Sequence, residues 1–557
     1  MRDEAAASRA ALNPATLAIA SIFAFVVLVQ GISAPFQKDA EPQSAQWIQS
    51  IVRDGHWLIP HDAYGYTDRK PPLFYWLSAC VSKVSGGSVD EVRARTVSVV
   101  SGTALAVAVL AWTAANVGVS EGWLAFLLML GTYGFASRAT TALTDMLLTF
   151  LLFAAYSAIY PLLGARPSQS PASRRGALVG VILGLGVLTK GPVAIVLCGL
   201  AAAIYLLIER RNPVAMLRER WPWQALAIAI AIGAFWYVPA LIVGGHKIVR
   251  IVVAENFGHF MPVKFGGTGE SSRPFYFIAA RLLGGAFPMT LLIPPAALAF
   301  YTGEIASEKR RAVIYQVSMS IAVLVFFSIA SVKRDDYILP AIPGIAILCA
   351  SVFTLATRGA ASKLRDVIIV VFALGSIAVI ASLFLFPSLA AQLKLHSSDE
   401  AYYAVFLTMG ASLALFVLCY VVLDVAAIFA VLRRRAIYIG AAFGLLGLCQ
   451  SLLWTARLRP GLAYARSVKS FVPTVNDRVK GDQLCIASGI NYELSYYYDV
   501  AIPELRNPKC AYLFATPREV DAMTPEDRAR LRLVAKSNLI GGGGPPALYQ
   551  IAQGAAK

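Results

Sequence analysis

Long apolar runs alternate with short polar segments along most of this chain of 557 residues. An α-helix needs about 20 mostly apolar residues to cross the hydrocarbon core of a bilayer. By that measure the pattern predicts about thirteen spans, and therefore a polytopic α-helical membrane protein. The predicted spans lie near residues 15–34, 93–116, 121–138, 142–164, 176–189, 191–208, 223–244, 279–302, 312–331, 337–356, 366–387, 403–425 and 436–456. The short runs 176–189 and 191–208 are interpreted as two spans, with one kinked helix as the alternative.

The composition supports a membrane protein. Hydrophobic residues make up 57% of the chain, charged residues make up 15%, and the mean hydropathy is +0.63. These values exclude an ordinary soluble globular protein. A formal net charge of +17 is compatible with a nucleic-acid partner. However, the basic residues lie in short clusters between apolar runs, which is typical of cytoplasmic loops and of contacts with anionic lipids. We therefore expect membrane lipids, and no nucleic acid, among the partners.

The basic clusters also predict an orientation. With the N-terminus in the cytoplasm and two spans between residues 176 and 208, every long cytoplasmic loop is basic, as the positive-inside rule expects. These loops carry Arg166, Arg174, Arg175, Arg210, Arg211, Arg218, Arg220, Lys309, Arg310, Arg311, Arg358, Lys363, Arg365, Arg433, Arg434 and Arg435. The opposite face then holds a long first loop (about 35–92), a loop at about 245–278, the segment 331–336 and the C-terminal tail.

The first outer loop combines carboxylates, cations and aromatic side chains. Asp39 and Glu41 follow the first span, and a carboxylate at this boundary can orient a nucleophile or take its proton. Arg69 and Lys70 precede two prolines. Two cations beside a rigid turn predict an anion site in which a phosphate gains charge-assisted hydrogen bonds. The alternative is a solvated loop whose cations contact lipid headgroups.

Other isolated charges fall on the same predicted side of the membrane. Asp145 lies at the outer end of a span, where a carboxylate can cap a helix or face the outer loop. Lys190 closes an apolar run, and contact with headgroups is the alternative to a functional role. The segment 331–340 holds two cations, two anions and a tyrosine between two spans, which indicates an anionic ligand. Its candidate residues are Lys333, Arg334 and Tyr337.

The loop at about 245–278 contains several glycines, so we expect it to be a flexible lid. Its candidate residues for contact with an acceptor, or for the lid itself, are Glu255, His259 and Arg273. A lone histidine is more often exposed than bound to a metal. No metal site and no cofactor are therefore predicted, although a divalent metal remains an alternative.

From residue 458 the chain becomes polar. We predict a transmembrane domain over residues 1–457 and a small periplasmic α/β domain over residues 458–557. LCIAS and AYLFA have strand-like patterns, and TPEDRARLRLVAK is predicted to be helical. Cys485 and Cys510 can form a disulfide in an oxidising compartment, with two free thiols as the alternative.

Two stretches of the first outer loop are too short to cross a membrane. Residues 43–53 and 71–85 combine apolar and polar positions with tryptophan or tyrosine. We predict that each forms an amphipathic helix at the membrane surface, with its aromatic side chains at headgroup depth.

Seven motifs occur in order along the chain and are followed by a soluble tail. They are DAE, RKPPLFYWL, LTDMLLTF, GLGVLTKGP, ENFGHF, RPFYF and SVKRDDYILPAIP. This set covers nearly the whole chain and resembles the ArnT and protein O-mannosyltransferase group of GT-C glycosyltransferases. VLTKGP and SVKRDDYILPAIP are the specific motifs. The resemblance implies the GT-C fold and an active site on the periplasmic side of the bacterial inner membrane.

The same resemblance implies an activity and a site. The expected reaction is an inverting transfer of a sugar from a polyprenyl (undecaprenyl) phosphate to lipid A, as 4-amino-4-deoxy-L-arabinose, or to another envelope glycolipid. The implied catalytic carboxylates are Asp39 or Glu41, and Asp145. The implied residues at the donor phosphate and lipid are Lys70, Lys190, Lys333 and Arg334. Arg69 and Tyr337 join them as candidates from the residue patterns described above. We expect a monomer.

The sequence departs from the family pattern at three places. Ala40 stands where the family has an aspartate, so Asp39 fits only if a one-residue insertion is assumed, whereas Glu41 keeps the family spacing. Arg69 replaces a frequent glutamate, and His259 replaces a frequent arginine. These departures bear on which acceptor, and which sugar, the protein uses.

Three alternatives remain at this point. One is an acceptor like that of the protein O-mannosyltransferases. Another is a flippase or secondary transporter for a lipid-linked sugar, which would also explain many spans and buried charges. The charges gather at one predicted face, however, and the sequence has no evident internal repeat of the transporter type. The third is a membrane assembly factor without catalytic activity, whose tail binds a partner.

Overall fold

The computed structural model describes most of the chain. The described residues are 12–36, 40–68, 70–164, 171–257, 273–305, 307–355, 359–385, 408–477, 479–505, 507, 510–539 and 544–552. Three of the predicted site residues, Asp39, Arg69 and His259, lie outside these ranges.

Within the described ranges, nine helices are long and apolar enough to cross a membrane. They are Glu91–Asn116, Asp145–Leu163, Ala172–Lys190, Arg220–Glu255, Lys309–Ile329, Asp335–Thr354, Ala360–Ala381, Ser412–Leu432 and Ala436–Arg466. Two further pairs of helices qualify if each bent pair is one span: Val119–Leu130 with Tyr133–Ala139, bent by 70°, and Phe277–Gly285 with Met289–Tyr301, bent by 104°. Three shorter apolar helices are Pro14–Leu28, Leu73–Val84 and Val193–Ile208.

Each apolar run of the sequence therefore corresponds to a helix or to a bent pair of helices. This confirms a polytopic helical membrane protein, while the number of spans that cross the bilayer stays a prediction. The two expected amphipathic stretches are also helical, over Ala40–Asp54 and Leu73–Val84. Their position at a membrane surface stays a prediction.

The main core lies inside the helical bundle, where tyrosines fill its centre. The ring of Tyr315 stacks on that of Tyr156 with the centroids 4.0 Å apart, and its hydroxyl donates to the Tyr156 carbonyl at 2.5 Å. Trp112, Tyr160 and Tyr205 surround this pair. A buried tyrosine hydroxyl needs a hydrogen-bond partner, so this contact fixes how the neighbouring helices pack.

The bundle has two ends with different charges. The helix Asp145–Ile159 begins at one end, and the chain returns to that end at Lys190, the last residue of the next helix. At the other end, about 27 Å away by helix rise, Arg211 donates to the Leu163 carbonyl at 2.6 Å. There Arg311 also pairs with Glu209 at 3.1 Å. Two of the basic clusters therefore lie opposite the end that carries Asp145 and Lys190.

The C-terminal part contains a four-stranded sheet. Its strands are β1 (Leu484–Ile486), β2 (Tyr512–Ala515), β3 (Leu531–Lys536) and β4 (Ala547–Ile551), in the order β1-β2-β4-β3. β1 and β2 are parallel, and the other two pairs are antiparallel. Short helices lie between the strands: Tyr492–Tyr498, Pro517–Asp521 and Pro525–Ala529. The predicted small α/β domain is confirmed.

One element of this domain was predicted wrongly. TPEDRARLRLVAK is helical only over Pro525–Ala529, and its second half forms β3. β3 pairs with β4, a partner that follows it in the sequence. Helix propensity is a weak preference, and pairing with β4 outweighs it here. Cys485 and Cys510 form a disulfide with a Cα–Cα distance of 5.7 Å.

The predicted domain boundary at residues 457–458 falls inside a helix. The segment Ala436–Leu453 continues through Trp454–Leu458 into Arg459–Arg466 without a linker. A continuous helix transmits orientation, because its backbone hydrogen bonds run across the junction. The C-terminal domain is therefore attached to the bundle by a helix.

Candidate functional site

Two adjacent cavities open at the end of the bundle that carries Asp145 and Lys190. The larger, about 690 Å³ in volume, is called the arginine cavity because Arg138, Arg273, Arg281 and Arg459 line it. The smaller, about 540 Å³, is called the lysine cavity because Lys70, Lys190 and Lys247 line it. Ala40, Leu143 and Arg334 line both cavities. The two cavities therefore share a wall.

An ion pair between two helix ends holds one of the lysines of the lysine cavity. Asp145 is the first residue of its helix and Lys190 the last residue of the next, which are the ends where the helix dipole favours these charges. Lys190 Nζ lies 2.5 Å from Asp145 Oδ1 and 5.0 Å from the centroid of the Tyr337 ring. Gly191 ends the helix with φ +79°, a conformation that favours glycine.

The segment 331–341 contributes a second cation. Arg334 Nε lies 3.3 Å from Asp336 Oδ1, and the guanidinium reaches both cavities. The Asp336 carboxylate raises the pKa of Arg334 above its ordinary value. Arg334 therefore stays charged, and an anion that enters either cavity meets a fixed cation.

A half-buried carboxylate, Asp68, also lines the lysine cavity. The loop before it is folded around Asp62, which accepts hydrogen bonds of 2.9 Å from the backbone amides of Tyr64 and Tyr66. One oxygen of Asp68 bonds with the hydroxyl of Tyr75. Its Oδ2 is buried, and no hydrogen-bond partner is found for it in the described parts of the chain. Burial raises the pKa of Asp68 to about 6.

The arginine cavity contains groups that are largely paired within the protein. Arg281 forms two hydrogen bonds of 3.0 Å with Asp335. Lys333 is buried, and its ammonium donates to the carbonyls of Arg273 at 3.0 Å and Ala330 at 2.6 Å. The ammonium of Lys333 thus anchors its own loop to the segment around Arg273.

Glu41 has a different environment from a free loop carboxylate. It is 2% exposed, and its two oxygens accept from Arg95 Nε and Nη2, each at 2.9 Å. The backbone amide of Ala142 adds a third bond at 2.8 Å, and Arg459 lies at 3.9 Å. Arg95 also donates to the carbonyls of residues 32, 34 and 35. Glu41 therefore ties the first loop to the helices around it.

The structure brings together every predicted site residue that it describes. Glu41, Lys333 and Arg273 lie at the arginine cavity, and Lys70, Lys190, Tyr337 and Glu255 at the lysine cavity. Sequence reasoning missed Asp68, Arg138, Arg281 and Arg459. Asp68 had a signal, since it directly precedes Arg69 and Lys70. The three arginines had none, because each lies in a helix or beside an apolar run. In the described ranges, no cluster of three or more potential metal-ligating side chains occurs.

The C-terminal domain contacts the first loop and reaches the lysine cavity. Ile490 and Tyr492 line that cavity. Gln46 donates to the Tyr492 carbonyl at 2.9 Å, and Tyr64 donates to the Ile502 carbonyl at 3.1 Å. The domain therefore both braces the loop and forms part of the cavity wall.

A second group of contacts joins the domain to the bundle. Tyr497 and Lys469 each donate to Glu91, both at 2.8 Å. Tyr496 donates to the Val89 carbonyl at 2.8 Å, and its ring packs edge-on against Phe36 at 5.0 Å. These contacts fix the domain above the end of the bundle that carries the cavities.

Comparisons with known proteins agree with this architecture. Residues 69–237 match the family described as dolichyl-phosphate-mannose-protein mannosyltransferase. The structure of ArnT from Cupriavidus metallidurans bound to undecaprenyl phosphate superposes with a TM-score of 0.75 at 16% identity, over 98% of this chain and 100% of that chain. The apo form of the same protein gives a TM-score of 0.69. The chain has the ArnT fold.

Relatives by sequence point to the same group. An undecaprenyl phosphate-alpha-4-amino-4-deoxy-L-arabinose arabinosyl transferase of Enterobacter sp. (strain 638) is 28% identical over 325 residues, 56% of this chain and 54% of the relative. One of Shewanella sediminis is 24% identical over 348 residues, 61% of this chain and 60% of the relative. The chain thus spans little more than half the length of these curated relatives. The resemblance to the ArnT and protein O-mannosyltransferase group is confirmed, together with the GT-C fold.

Proposed function

We propose that this protein is an inverting glycosyltransferase that moves a sugar from a polyprenyl phosphate to an acceptor at the membrane surface. The donor is an undecaprenyl phosphate sugar of the 4-amino-4-deoxy-L-arabinose type, and the acceptor is lipid A or another envelope glycolipid. The observation that carries the proposal is the lysine cavity. It combines three lysines and Arg334 with two carboxylates and several aromatic rings at one end of a membrane bundle.

The cations of this cavity suit the leaving group. When the bond between the anomeric carbon and the phosphate oxygen breaks, negative charge develops on the polyprenyl phosphate. A phosphate is already a good leaving group, so it needs electrostatic stabilisation rather than a proton. Lys70, Lys190 and Arg334 supply it, and Tyr337 holds Lys190 in place. Arg69 and Lys333 complete the proposed donor site, Lys333 by fixing the loop that carries Arg334.

The carboxylates have separate roles in this proposal. Asp145 positions Lys190 through its ion pair and keeps the ammonium directed at the phosphate. Glu41 shapes the first loop through Arg95. Asp39, the residue before Ala40 in the sequence, is a candidate to activate the acceptor. The arginine cavity is cationic, so it suits an anionic acceptor headgroup. Arg273 at this cavity, Glu255 at the lysine cavity and His259 are the proposed residues for acceptor contact or for the lid.

The acceptor of a protein O-mannosyltransferase is a second candidate. The family matched by residues 69–237 favours it, because the description of that family names a protein acceptor. The two candidates share the donor chemistry and differ in what enters the arginine cavity. In either case we propose that the site faces the periplasm and that the protein works as a monomer in the bacterial inner membrane. The basic clusters at the opposite end support this orientation.

The test is sugar transfer by the purified protein in detergent. Radiolabelled undecaprenyl phosphate 4-amino-4-deoxy-L-arabinose is offered with lipid A or with a serine- and threonine-rich peptide, and Lys70→Ala is assayed beside the wild type. Lys480→Ala, an exposed lysine of the C-terminal domain, is the control. Transfer that depends on Lys70 but not on Lys480 supports the proposal. Lipid scrambling in proteoliposomes without transfer to any acceptor would replace it with a flippase.

A further inference from the structure

One segment of the C-terminal domain is docked on the first loop. This docking segment, residues 487–505, lies in the connection between the parallel strands β1 and β2. Gln46 donates to its Tyr492 carbonyl at 2.9 Å, and the ring of Tyr492 packs edge-on against that of Tyr64 with the centroids 5.8 Å apart. Ile490 and Tyr492 line the lysine cavity. The docking segment is therefore part of the cavity wall.

Two hydroxyls and an ion pair add to this contact. Ser495, which is fully buried, donates to the hydroxyl of Tyr64 at 2.7 Å. Tyr64 in turn donates to the Ile502 carbonyl at 3.1 Å. Asp499 follows the helix of the docking segment and pairs with Arg53 at 2.5 Å. The segment is thus held on the first loop at both ends of its helix.

The same contacts lead to a cation of the lysine cavity. Gln46 Oε1 accepts from the backbone amide of Ala63 at 3.0 Å, so one side chain bonds both the docking segment and the turn that contains Ala63. Trp47 Nε1 donates to the carbonyl of Tyr66, just after that turn, at 3.0 Å. Lys70 follows in the same loop and lines the cavity. A shift of the docking segment would therefore move the loop that carries Lys70.

A disulfide closes the docking segment at its base. Cys485 and Cys510 flank the segment, 25 positions apart in the sequence and with their Cα atoms 5.7 Å apart. The base also holds β1, a strand of three residues at the edge of the sheet, and two backbone bonds of Ile486 to residues 503 and 505. So short an edge strand opens more easily than the whole domain unfolds, and a cross-link limits the conformations of an opened segment.

We propose that Cys485 and Cys510 are positioning residues for sugar transfer. Their disulfide closes the docking segment and thereby keeps the first loop, with Lys70, in place. This inference rests on the proposed function. Breaking the disulfide leaves the helical bundle folded, because both cysteines belong to the C-terminal domain, but it lets one wall of the lysine cavity move. A dithiol reagent supplies the two electrons and two protons that convert the disulfide into two thiols, and is itself oxidised to a disulfide.

The test measures transfer by the wild type before reduction with dithiothreitol, after it and after reoxidation. The temperature is one at which tryptophan fluorescence shows a folded protein, and thiol labelling confirms that free thiols rise from five to seven. We expect kcat to fall by about 10- to 100-fold, as for other displaced catalytic groups, and to return on reoxidation. The double variant Cys485→Ala, Cys510→Ala should have the low rate and not respond to dithiothreitol. Ser488→Ala, exposed in the same segment, should behave as the wild type does.

A second variant tests the route through the first loop. Gln46→Ala, Tyr64→Phe removes side-chain groups that bond the loop to the docking segment. If the disulfide acts through these contacts, the two changes are not independent, and reduction lowers the kcat of this variant by a smaller factor than that of the wild type. Equal factors would contradict the route.

Hydrogen–deuterium exchange gives a readout independent of activity. Reduction should speed exchange at the amides of Ala63, Tyr64 and Tyr66, which are bonded within the first loop, and leave exchange in the helix Asp145–Ile159 unchanged. Faster exchange in both places would show general unfolding and count against the positioning role. That role is also overturned if the reduced protein keeps the oxidised rate, or if the rate falls without a change in the first loop. Absence of transfer by the oxidised protein to any acceptor would instead defeat the proposed function, while exchange would still test the coupling.

Discussion

The two cavities lie side by side and share Arg334, yet they are built differently. The arginine cavity is wide and cationic, with an exposed ion pair at its rim and a buried carboxylate, Glu41, held by arginines below. The lysine cavity is smaller. Its cations share the cavity wall with five aromatic side chains: Trp47, Tyr66, Tyr75, Tyr337 and Tyr492.

This difference separates two kinds of recognition. Aromatic rings present flat apolar faces with a polar edge, and such faces beside fixed cations suit a sugar attached to a phosphate. A broad surface of arginines suits an anionic headgroup, because guanidinium groups bind carboxylates and phosphates through paired hydrogen bonds. The lysine cavity is thus the proposed place of reaction, and the arginine cavity the proposed route of the acceptor.

The largest expected effect is that of Lys190→Met. Removing a cation that stabilises the leaving phosphate should lower kcat by about 100- to 1,000-fold, by analogy with the loss of one donor to a developing anion. The measurement is initial rate of transfer at saturating donor. Lys363→Met, an exposed lysine of another helix, is the matched control.

The ion pair with Asp145 allows a sharper form of this experiment. Lys190→Met leaves Asp145 buried without its cation, and such a charge can destabilise the fold. In the double variant Lys190→Met, Asp145→Asn the uncompensated charge is gone. If the double variant recovers stability but not transfer, Lys190 acts on the substrate. Recovery of transfer would show that the lysine only balances Asp145.

Glu41→Gln should instead affect stability. The change leaves Arg95, which is 1% exposed, without a carboxylate, and breaking a buried ion pair costs about 3–5 kcal/mol. We expect a clear fall in melting temperature, measured by tryptophan fluorescence in detergent. Glu526→Gln, an exposed glutamate in the C-terminal domain, is the control. Normal melting combined with lost transfer would place Glu41 in the chemistry.

Glu41 and Asp68 show how far the sequence could lead: Asp68 had a signal, because it directly precedes Arg69 and Lys70, whereas the contacts of Glu41 had none. The apolar runs predicted the helices because burial in a bilayer depends on composition over about 20 residues. The motifs then predicted which segments meet, since Lys190 and 331–340 were expected on one face and do line one region. The partner of Glu41, however, is 54 residues away. Distances in sequence carry no information about such a pair.

Two other features needed the structure for a similar reason. β3 was predicted to be helical because its partner β4 lies beyond a glycine-rich stretch of sequence, so local propensity had no competitor within the segment. Arg459 lies in the helix that leads to the C-terminal domain, yet it donates to the Thr140 carbonyl at 3.0 Å. Whether a cation in a helix faces lipid, water or a cavity depends on packing between distant segments.

The smallest expected effect is that of Arg273→Ala in the arginine cavity. Arg273 is exposed, and its guanidinium lies 4.5 Å from the Phe277 ring centroid. An exposed cation typically contributes about 1 kcal/mol or less to an ionic contact. We therefore expect the KM for an anionic glycolipid to rise by about three- to fivefold, with kcat unchanged, in steady-state transfer assays that vary the acceptor.

Ionic strength sharpens this last prediction. Screening weakens contacts between exposed charges, so added salt should raise the KM of the wild type toward that of Arg273→Ala while changing the variant less. Arg518→Ala, an exposed arginine of the C-terminal domain, should behave as the wild type does. A fall in kcat with an unchanged KM would move Arg273 from acceptor binding to the reaction. The division of work between the two cavities would then have to be redrawn.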